Sequence, residues 1–280
     1  MIDITGFHLS SMINSELTEY YIKNGFVLVD KLISKRSQDE IRTELAKINQ
    51  GHYDNSTIEP IDWPINDQRL ISRYMYIGQP HAYSQIIRQY IDHPKLCRIL
   101  DLIVGANVPF WNGAYKCVQT MFVTKKPDGN GSPWHQDESA IPTRDRSLTG
   151  VWIALSDAST TNGCLWIIPD SHKSGVIYKR EAHNLPDVDS MPIARGFDDN
   201  NAIPIEMTAG SVLFFSGYLL HNSRKNYSKQ NRPALTIHYC SSNTMLPWGV
   251  NNYRGVTPIK GEDPYQSEGY TDPIPWAKLE

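Results

Sequence analysis

The sequence predicts a mainly β protein in which N-terminal and flanking helices accompany a double-stranded β-helix, the jelly-roll architecture of cupin-like proteins. Helical periodicity is confined to residues 14–104, whereas the apolar residues after about 115 follow a strand-like pattern. Turn signals such as PDGNGSP at 127–133 separate these later segments. With 280 residues and 40% hydrophobic content, the chain can bury a sizeable core, so we expect a single domain over 1–280.

Two helices are predicted near the start of the chain, at 14–24 and 36–50. Ser15 can cap the first helix, and Ser37 with Glu40 matches a capping box for the second. A capping side chain accepts hydrogen bonds from the backbone N–H groups that lack a partner in the first turn. These serines therefore predict where the two helices begin.

The rest of the N-terminal part alternates between short elements and loop. Residues 26–29 (FVLV) form an apolar run that indicates a short strand. Residues 51–70 lack periodicity and contain prolines and asparagines, which predicts a long surface loop. Residues 81–104 are predicted to be helical, with an interruption at Pro94 because proline cannot continue a helix.

The jelly-roll core is expected at about 115–245. Within it, the apolar run SVLFFSGYLL at 211–220 indicates a buried strand. The tail at 246–280 is rich in Trp, Tyr, Pro and Gly. This composition favours a coil that wraps over the barrel or closes its mouth.

Three residues in the strand region predict a metal site. Side chains alternate along a strand, so His135 and Asp137 project to the same face. A His-x-Asp triplet alone is equally consistent with a surface turn or a capping pair. His221, at the end of the 211–220 run, supplies a second imidazole from a distant strand. Two histidines and one carboxylate form the ligand set of non-haem Fe(II) oxygenases.

A candidate carboxylate clamp follows the second histidine. Ser223 lies two residues after His221 and so shares its face, and Arg232 opens a strand whose alternation places His238 on the same face. A guanidinium presents paired N–H donors in a rigid fork that matches a carboxylate. A dicarboxylic co-substrate such as 2-oxoglutarate needs such a partner for its far carboxylate.

At this point the sequence resembles the phytanoyl-CoA dioxygenase (PhyH) family of Fe(II)/2-oxoglutarate oxygenases, from about residue 17 to about residue 245. The spacing from His221 through Ser223 to Arg232 matches the family pattern. The other motifs that carry the resemblance are YYIKNGFVLV at 20–29, TMFVT at 120–124, WHQD at 134–137, LTGVWIAL at 148–155 and NGCLWIIPDSH at 162–172.

The resemblance implies a role for each candidate residue. His135, Asp137 and His221 would ligate iron, and Arg232 with Ser223 would hold the distal carboxylate of 2-oxoglutarate. The residues that would line its pocket are Met121, Gln136 and Trp152. Met121 and Trp152 are also ordinary core residues for a jelly roll. Lys116 is the candidate for a lysine that some family members use upstream of the barrel.

The function that follows from the resemblance is oxygen chemistry on a small-molecule metabolite. Such an enzyme uses Fe(II), 2-oxoglutarate and O2, converts 2-oxoglutarate to succinate and CO2, and hydroxylates an unactivated carbon. Related halogenases lack a carboxylate at the position of Asp137, so its presence favours hydroxylation, while desaturation on the same scaffold stays open. The alternative is a non-catalytic cupin-like protein that binds a metal or small molecule, and the pairing of Arg232 with Ser223 argues against it.

Composition narrows the partners and the compartment. A formal net charge of -3 and a pI near 6.3 give no electrostatic basis for binding nucleic acid or an anionic membrane. There is no N-terminal apolar segment typical of a signal peptide and no long apolar run, so we expect a cytoplasmic protein. The sequence gives no indication of the oligomeric state.

Three further groups of residues have ordinary interpretations. Lys125 and Lys126 precede a Gly/Pro-rich loop and are expected to be solvated. The segment TRDR at 143–146 could bind an anionic or polar substrate, or could form a self-satisfied surface pair. His238 is expected to be a hydrogen-bonded core histidine.

Overall fold

Helices and strands occupy the N-terminal and C-terminal parts of the chain in the order that the sequence predicts. The computed structural model describes residues 14–53, 57–246 and 255–266. The helices in these ranges are α1 (Asn14–Asn24), α2 (Lys35–Gln50), α3 (Gln68–Ile71), α4 (Gln85–Ile91) and α5 (Pro94–Ile103). The strands are β1 (Phe26–Val29), β2 (Tyr76–Gly78), β3 (Tyr115–Lys125), β4 (Ser132–His135), β5 (Thr149–Ala154), β6 (Leu165–Ile167), β7 (Arg180–Glu181), β8 (Ile193–Ala194), β9 (Ile203–Ile205), β10 (Val212–Ser216), β11 (His221–Ser223), β12 (Arg232–Ser241) and β13 (Thr257–Lys260).

The strands form two main antiparallel sheets and a small hairpin. The larger sheet has seven strands in the order β1-β10-β5-β12-β3-β13, with β2 also paired to β3. The smaller sheet has the order β4-β11-β6-β9, and β7 pairs with β8. Two antiparallel sheets joined by long connections are the jelly-roll arrangement, which confirms the predicted fold class.

The large sheet is buried on both faces because alternate residues serve two separate cores. Val27 and Val29 of β1 pack with the helices in one core. Phe26 and Leu28 of the same strand pack in another core, between the two sheets. The period of two along a strand therefore divides one short apolar run between the helical layer and the barrel interior. This arrangement explains why FVLV carries no polar residue.

The serine that caps α2 differs from the predicted one. Ser34 is the N-cap, and its hydroxyl accepts a hydrogen bond from the backbone N–H of Ser37 at 3.2 Å. The predicted capping box at Ser37 is wrong because this residue already lies inside the first turn. Glu40 instead accepts a hydrogen bond from the Tyr90 hydroxyl at 2.5 Å. The helix ends at Gly51, whose φ of 85° is a left-handed conformation that favours glycine.

Other predicted boundaries agree with the structure or shift slightly. α1 begins at Asn14, so Ser15 lies within the helix and is not its cap. The predicted loop at 51–70 ends with the short helix α3, which Asp67 caps. The interruption at Pro94 is confirmed, because α4 ends at Ile91 and α5 begins at Pro94.

The predicted single strand at 211–220 is wrong, and the difference bears on the site. β10 stops at Ser216, the chain turns through 217–220, and β11 begins at His221 in the other sheet. An apolar run cannot reveal this change, because both strands and the turn between them are buried. The switch of sheets carries His221 across to β4.

The tail contributes one strand to the fold. β13 pairs with the start of β3, so the described part of the tail lies against the large sheet. The remainder of the predicted wrapping coil, at 247–254 and 267–280, lies outside the described residues. Within the described ranges, no helix combines the length and the apolar character needed to cross a bilayer.

Candidate metal centre and its cavity

The three predicted ligands converge at one point between the sheets. His135 is the last residue of β4 and His221 is the first of β11, and the two are directly opposite each other in the strand pairing. Oδ1 of Asp137 lies 3.6 Å from Nε2 of His135 and 3.6 Å from Nε2 of His221. One ligand atom from each residue lies within 4.8 Å of the other two, which is close enough for the three to share one ion.

Asp137 shares the face of His135 even though the strand has already ended. β4 stops at His135, and Asp137 begins a short 3-10 turn that extends to Ser139. Gln136 between them keeps an extended backbone, with φ -122° and ψ 136°. One extended residue is enough to preserve the alternation that places both ligands on the same side.

Backbone carbonyls orient both imidazoles. Nδ1 of His135 donates a hydrogen bond to the carbonyl of Pro133 at 2.8 Å, and Nδ1 of His221 donates one to Leu219 at 3.0 Å. A carbonyl oxygen can only accept, so Nδ1 of each ring carries a proton, and Nε2 is the nitrogen that faces Asp137. Burial, reinforced by the neighbouring His221, lowers the pKa of His135 to about 3. His135 is therefore neutral, as a metal ligand must be.

Histidines also hold the carboxylate ionised. Burial alone would raise the pKa of Asp137, but the surrounding histidines outweigh it and bring the pKa below its usual range. His238 makes the closest contact, with Nε2 2.9 Å from Oδ2 of Asp137. This partner leaves Oδ1 directed at the other two histidines. The expectation that His238 is hydrogen-bonded in the core agrees with this contact, but the sequence did not reveal that its partner is the carboxylate.

A cavity of about 390 Å³ extends from these residues between the two sheets. It is lined by residues of both sheets and of the β7–β8 hairpin. The lining residues are Tyr76, Gln119, Met121, Val123, Ser132, Pro133, His135, Asp137, Ala140, Ile141, Trp152, Leu165, Arg180, Met191, Phe215, His221, Ser223, Arg232, Thr236 and His238. Apart from Gln136, all the predicted site residues are among them. Arg180, Met191 and Tyr76 were not predicted, because they lie in segments without a clear periodic pattern.

Arg232 is a buried cation that forms no ion pair with any residue in the described ranges. Its side chain is 1% exposed, and its Nε and Nη1 have no hydrogen-bond partner among the described residues. The guanidinium lies 5.1 Å from the ring centre of Trp152, and burial lowers its pKa to about 10. Burying a charge costs free energy unless the charge is paired. These free donors are therefore suited to bind a ligand that carries a carboxylate.

Ser223 lines the same cavity from the facing small sheet and is 3% exposed. Its hydroxyl is 2.6 Å from that of Ser132, which is opposite it in the pairing of β11 with β4. A hydroxyl can donate one hydrogen bond and accept two, so this contact leaves Ser223 capacity for a further partner.

The structure corrects the prediction for Gln136. Its side-chain amide donates to the carbonyls of Val176 and Tyr218, both at 2.8 Å, and its oxygen accepts from the N–H of Tyr178 at 2.9 Å. Gln136 faces away from the cavity because the residues on either side of it face in, and alternate residues of an extended chain point to opposite sides.

Lys116, the candidate lysine, also lies outside the cavity lining. Lys116 is 0% exposed, but its ammonium is 3.1 Å from Asp263 and 2.8 Å from the carbonyl of Thr244. It pairs the start of β3 with the tail and does not line the cavity. The cavity therefore receives its buried cation from Arg232.

Lys125 is buried, so the expectation of a solvated side chain is wrong for it. Lys125 is 1% exposed and donates to the carbonyl of Arg224 at 2.6 Å, whereas Lys126 is exposed as predicted. Burial, together with the charge of Arg232, lowers the pKa of Lys125 to about 6. In the strand pairing Lys125 is directly opposite Arg232.

The segment 143–146 bonds to residues just outside it, and the predicted pairing within the segment is not seen among the described residues. Glu138 is 0% exposed and accepts from the Thr143 hydroxyl at 2.9 Å and from the backbone N–H of Arg144 at 2.5 Å. Asp145 accepts from the Ser147 hydroxyl at 2.7 Å. These contacts favour the structural interpretation of the segment over a substrate-binding one.

Sequence comparisons match this chain to one family of proteins. A family model described as phytanoyl-CoA dioxygenase (PhyH) matches residues 21–234. A phytanoyl-CoA dioxygenase of Arabidopsis thaliana is 35% identical over 137 residues, covering 49% of this chain and 48% of that protein. Phytanoyl-CoA dioxygenase 1 of Oryza sativa subsp. japonica is 37% identical over 155 residues, covering 53% of this chain and 54% of that protein. The chain spans about half the length of these plant relatives.

Solved structures share the fold at low sequence identity. The non-heme alpha ketoglutarate dependent carbocyclase SnoK from nogalamycin biosynthesis superposes with a TM-score of 0.63. It is 17% identical, and the superposition covers 95% of each chain. This similarity extends over the helices as well as the strands and therefore supports the architecture described above.

Proposed function

Because the chain belongs to the phytanoyl-CoA dioxygenase family, we propose that it is an Fe(II)- and 2-oxoglutarate-dependent oxygenase that hydroxylates an unactivated carbon of a small-molecule metabolite. One observation carries the proposal. The cavity that contains the His135, Asp137 and His221 ligand atoms also contains the unpaired guanidinium of Arg232. A metal and a dicarboxylate together account for both features.

His135, Asp137 and His221 would hold the iron. Two neutral imidazoles and one carboxylate occupy one side of such an ion and leave other positions open. The Nδ1 hydrogen bonds to backbone carbonyls fix both rings in the orientation that binding needs. His238 would hold Asp137 in place through its contact with Oδ2.

Arg232 and Ser223 would bind the distal carboxylate of 2-oxoglutarate. The guanidinium offers its free Nε and Nη1 donors, and Ser223 offers its hydroxyl from the facing sheet. Trp152 and Met121 line the same cavity and would lie beside the carbon chain of the co-substrate. Burial of this end keeps water away from the charge pair, which strengthens it.

Bound iron and 2-oxoglutarate would supply the oxidising chemistry with O2, giving succinate, CO2 and the hydroxylated product. The chain's own contribution is to bind, orient and exclude water. The apolar walls, including Ile141 and Phe215, keep the site dry. Asp137 and the neutral His135 supply charge and lone pairs without a change of protonation, because the pKa of each is held low.

A non-catalytic cupin-like binder is the alternative, and Arg232 discriminates between the two. A protein that holds only a metal gains nothing from an unpaired buried guanidinium next to the metal site, since such a charge costs free energy until an anion pairs with it. The same cavity in a 2-oxoglutarate enzyme requires that charge.

The test is release of succinate from 2-oxoglutarate in air with Fe(II), measured with wild type and Asp137→Ala over a panel of metabolites. We expect wild type to release succinate and Asp137→Ala to lose both iron binding and succinate release. Asp170→Ala is the control, because this exposed carboxylate pairs with Lys173 at the surface. Equal succinate release by wild type and Asp137→Ala would refute the ligand role.

A further inference from the structure

Among the described residues that line the cavity, Arg180 is the one charged residue that has no role in the proposed function. Of the other ionic side chains in the lining, Asp137 belongs to the metal site and Arg232 to the co-substrate clamp. Arg180 lies on β7, directly opposite Ala194 of β8. Its side chain lines the same cavity as His135 and Asp137.

The guanidinium of Arg180 is held in place but not neutralised. Its Nε donates to the carbonyl of Pro192 at 2.9 Å. No carboxylate among the described residues forms an ion pair with it. The adjacent carboxylate, Glu181, pairs with Lys179 at 3.4 Å and not with Arg180. One hydrogen bond thus orients the fork, and its terminal nitrogens have no partner within the described part of the chain.

Contacts on both sides anchor the hairpin that carries Arg180. Backbone bonds of 2.8 Å join Gly131 to Asp187 and to Asp189. The Tyr76 hydroxyl donates to Asp189 at 2.6 Å, which attaches the hairpin connection to the large sheet. Arg180 is therefore presented at the cavity by an ordered support, as a recognition residue must be.

Much of the cavity that Arg180 lines is apolar. Ala140, Ile141 and Met191 line the cavity, and Phe215 lies beside His221 with 4.9 Å between ring centres. Such walls favour the hydrocarbon part of a ligand, because its transfer from water to an apolar surface is favourable. With Arg232 assigned to the co-substrate, Arg180 is the remaining cation of the described lining, and its place among apolar residues selects a molecule with two unlike ends.

From this juxtaposition we propose that the substrate is amphipathic, with one anionic group bound by Arg180 and an apolar body lying over the metal site. The inference rests on the proposed function and adds the substrate class to it. Carboxylate and phosphate share the required chemistry, since both accept paired hydrogen bonds from a guanidinium. Arg180 would then be a specificity residue that positions the carbon to be oxidised.

The experiment is calorimetric titration of the anaerobic protein loaded with Fe(II) and saturating 2-oxoglutarate. The probes are hexanoate, hexyl phosphate and the neutral hexanamide, which differ at one end only. We expect wild type to bind at least one anion about tenfold or more tightly than hexanamide, the scale of a hydrogen bond to a charged group. The stronger of the two anions identifies the group that the site prefers.

Arg180→Gln should abolish the preference for the anion, and Arg180→Lys should retain part of it. Lys179→Gln is the matched control. It removes a positive charge one residue away from Arg180, and the Lys179 side chain is 84% exposed. Equal binding of anion and amide by wild type, failure of both anions to bind, or the same preference in Arg180→Gln would each overturn the inference. If 2-oxoglutarate itself did not bind in the loading step, the proposed function would fail instead.

Discussion

Arg232 places a buried positive charge where the described residues provide no negative charge for it. The ring of Trp152 lies with its centre 5.1 Å from the guanidinium, which is a weak substitute for a carboxylate. The side chain is 1% exposed, so solvent cannot compensate either. The burial of this one guanidinium therefore costs free energy until an anionic ligand pairs with it.

Arg232→Met should weaken binding of 2-oxoglutarate far more than binding of Fe(II). Loss of a buried charge partner costs about 2–5 kcal/mol, and the three metal ligands are unchanged. Calorimetry of each ligand under anaerobic conditions measures the two affinities separately. Arg224→Met is the control, since Arg224 is exposed and stacks on Trp166 at 3.5 Å. Equal losses for iron and 2-oxoglutarate would contradict the clamp.

Lys125 makes a distinct prediction about stability and pH. Its pKa is lowered from 10.5 to about 6 in the folded chain, so between these values the unfolded chain binds more protons than the folded one. The free energy of unfolding should therefore rise with pH across this window. Lys125→Met should reduce that slope in urea unfolding of the metal-free protein between pH 6 and about 10. Lys126→Met, which changes the exposed neighbour, should leave the slope unchanged. Identical slopes for wild type, Lys125→Met and Lys126→Met would show that Lys125 is not buried as a neutral amine.

At the residue scale, the metal ligands were readable from sequence and two neighbours were not. Alternation places His135 and Asp137 on one face, and His221 together with the family resemblance completes the predicted ligand set. Gln136 was assigned to the cavity by resemblance, although alternation places a residue between two inward-facing ones on the outside. Lys125 was missed because its burial depends on the loop around Arg224, which is a tertiary contact.

At the scale of elements, the change of sheet between β10 and β11 creates the site. β10 belongs to the large sheet and β11 to the small one, so the turn at 217–220 carries the chain from one to the other. This step brings His221 opposite His135. The sequence shows an unbroken apolar run here because both strands and the turn are buried, and hydrophobicity alone cannot mark a change of partner.

The cap of α2 gives a test at this scale. Ser34→Ala should lower the free energy of unfolding by about 0.5–2 kcal/mol, because it removes the acceptor for the N–H of Ser37. Ser37→Ala should have a much smaller effect, since its hydroxyl is not the cap. Urea unfolding of the two variants distinguishes them. A larger loss for Ser37→Ala would restore the capping box that the sequence suggested.

For the whole molecule, the two sheets define the chemistry by facing each other across one cavity. The small sheet supplies His135 and His221, and the large sheet supplies Arg232 and His238. Fold class, helix order and the metal ligands follow from period and spacing in the sequence. The position of Arg180 in the cavity lining does not follow from them, because this residue lies on a two-residue strand that is too short to leave a periodic pattern.

The central claim is that one Fe(II) and one 2-oxoglutarate bind together in this cavity. The most direct measurement is an anaerobic titration of the Fe(II)-loaded protein with 2-oxoglutarate, followed by visible absorption. We predict a weak charge-transfer band that saturates at one 2-oxoglutarate per chain and is absent from Asp137→Ala. A wild-type sample that binds Fe(II) but stays colourless at saturating 2-oxoglutarate would contradict the account.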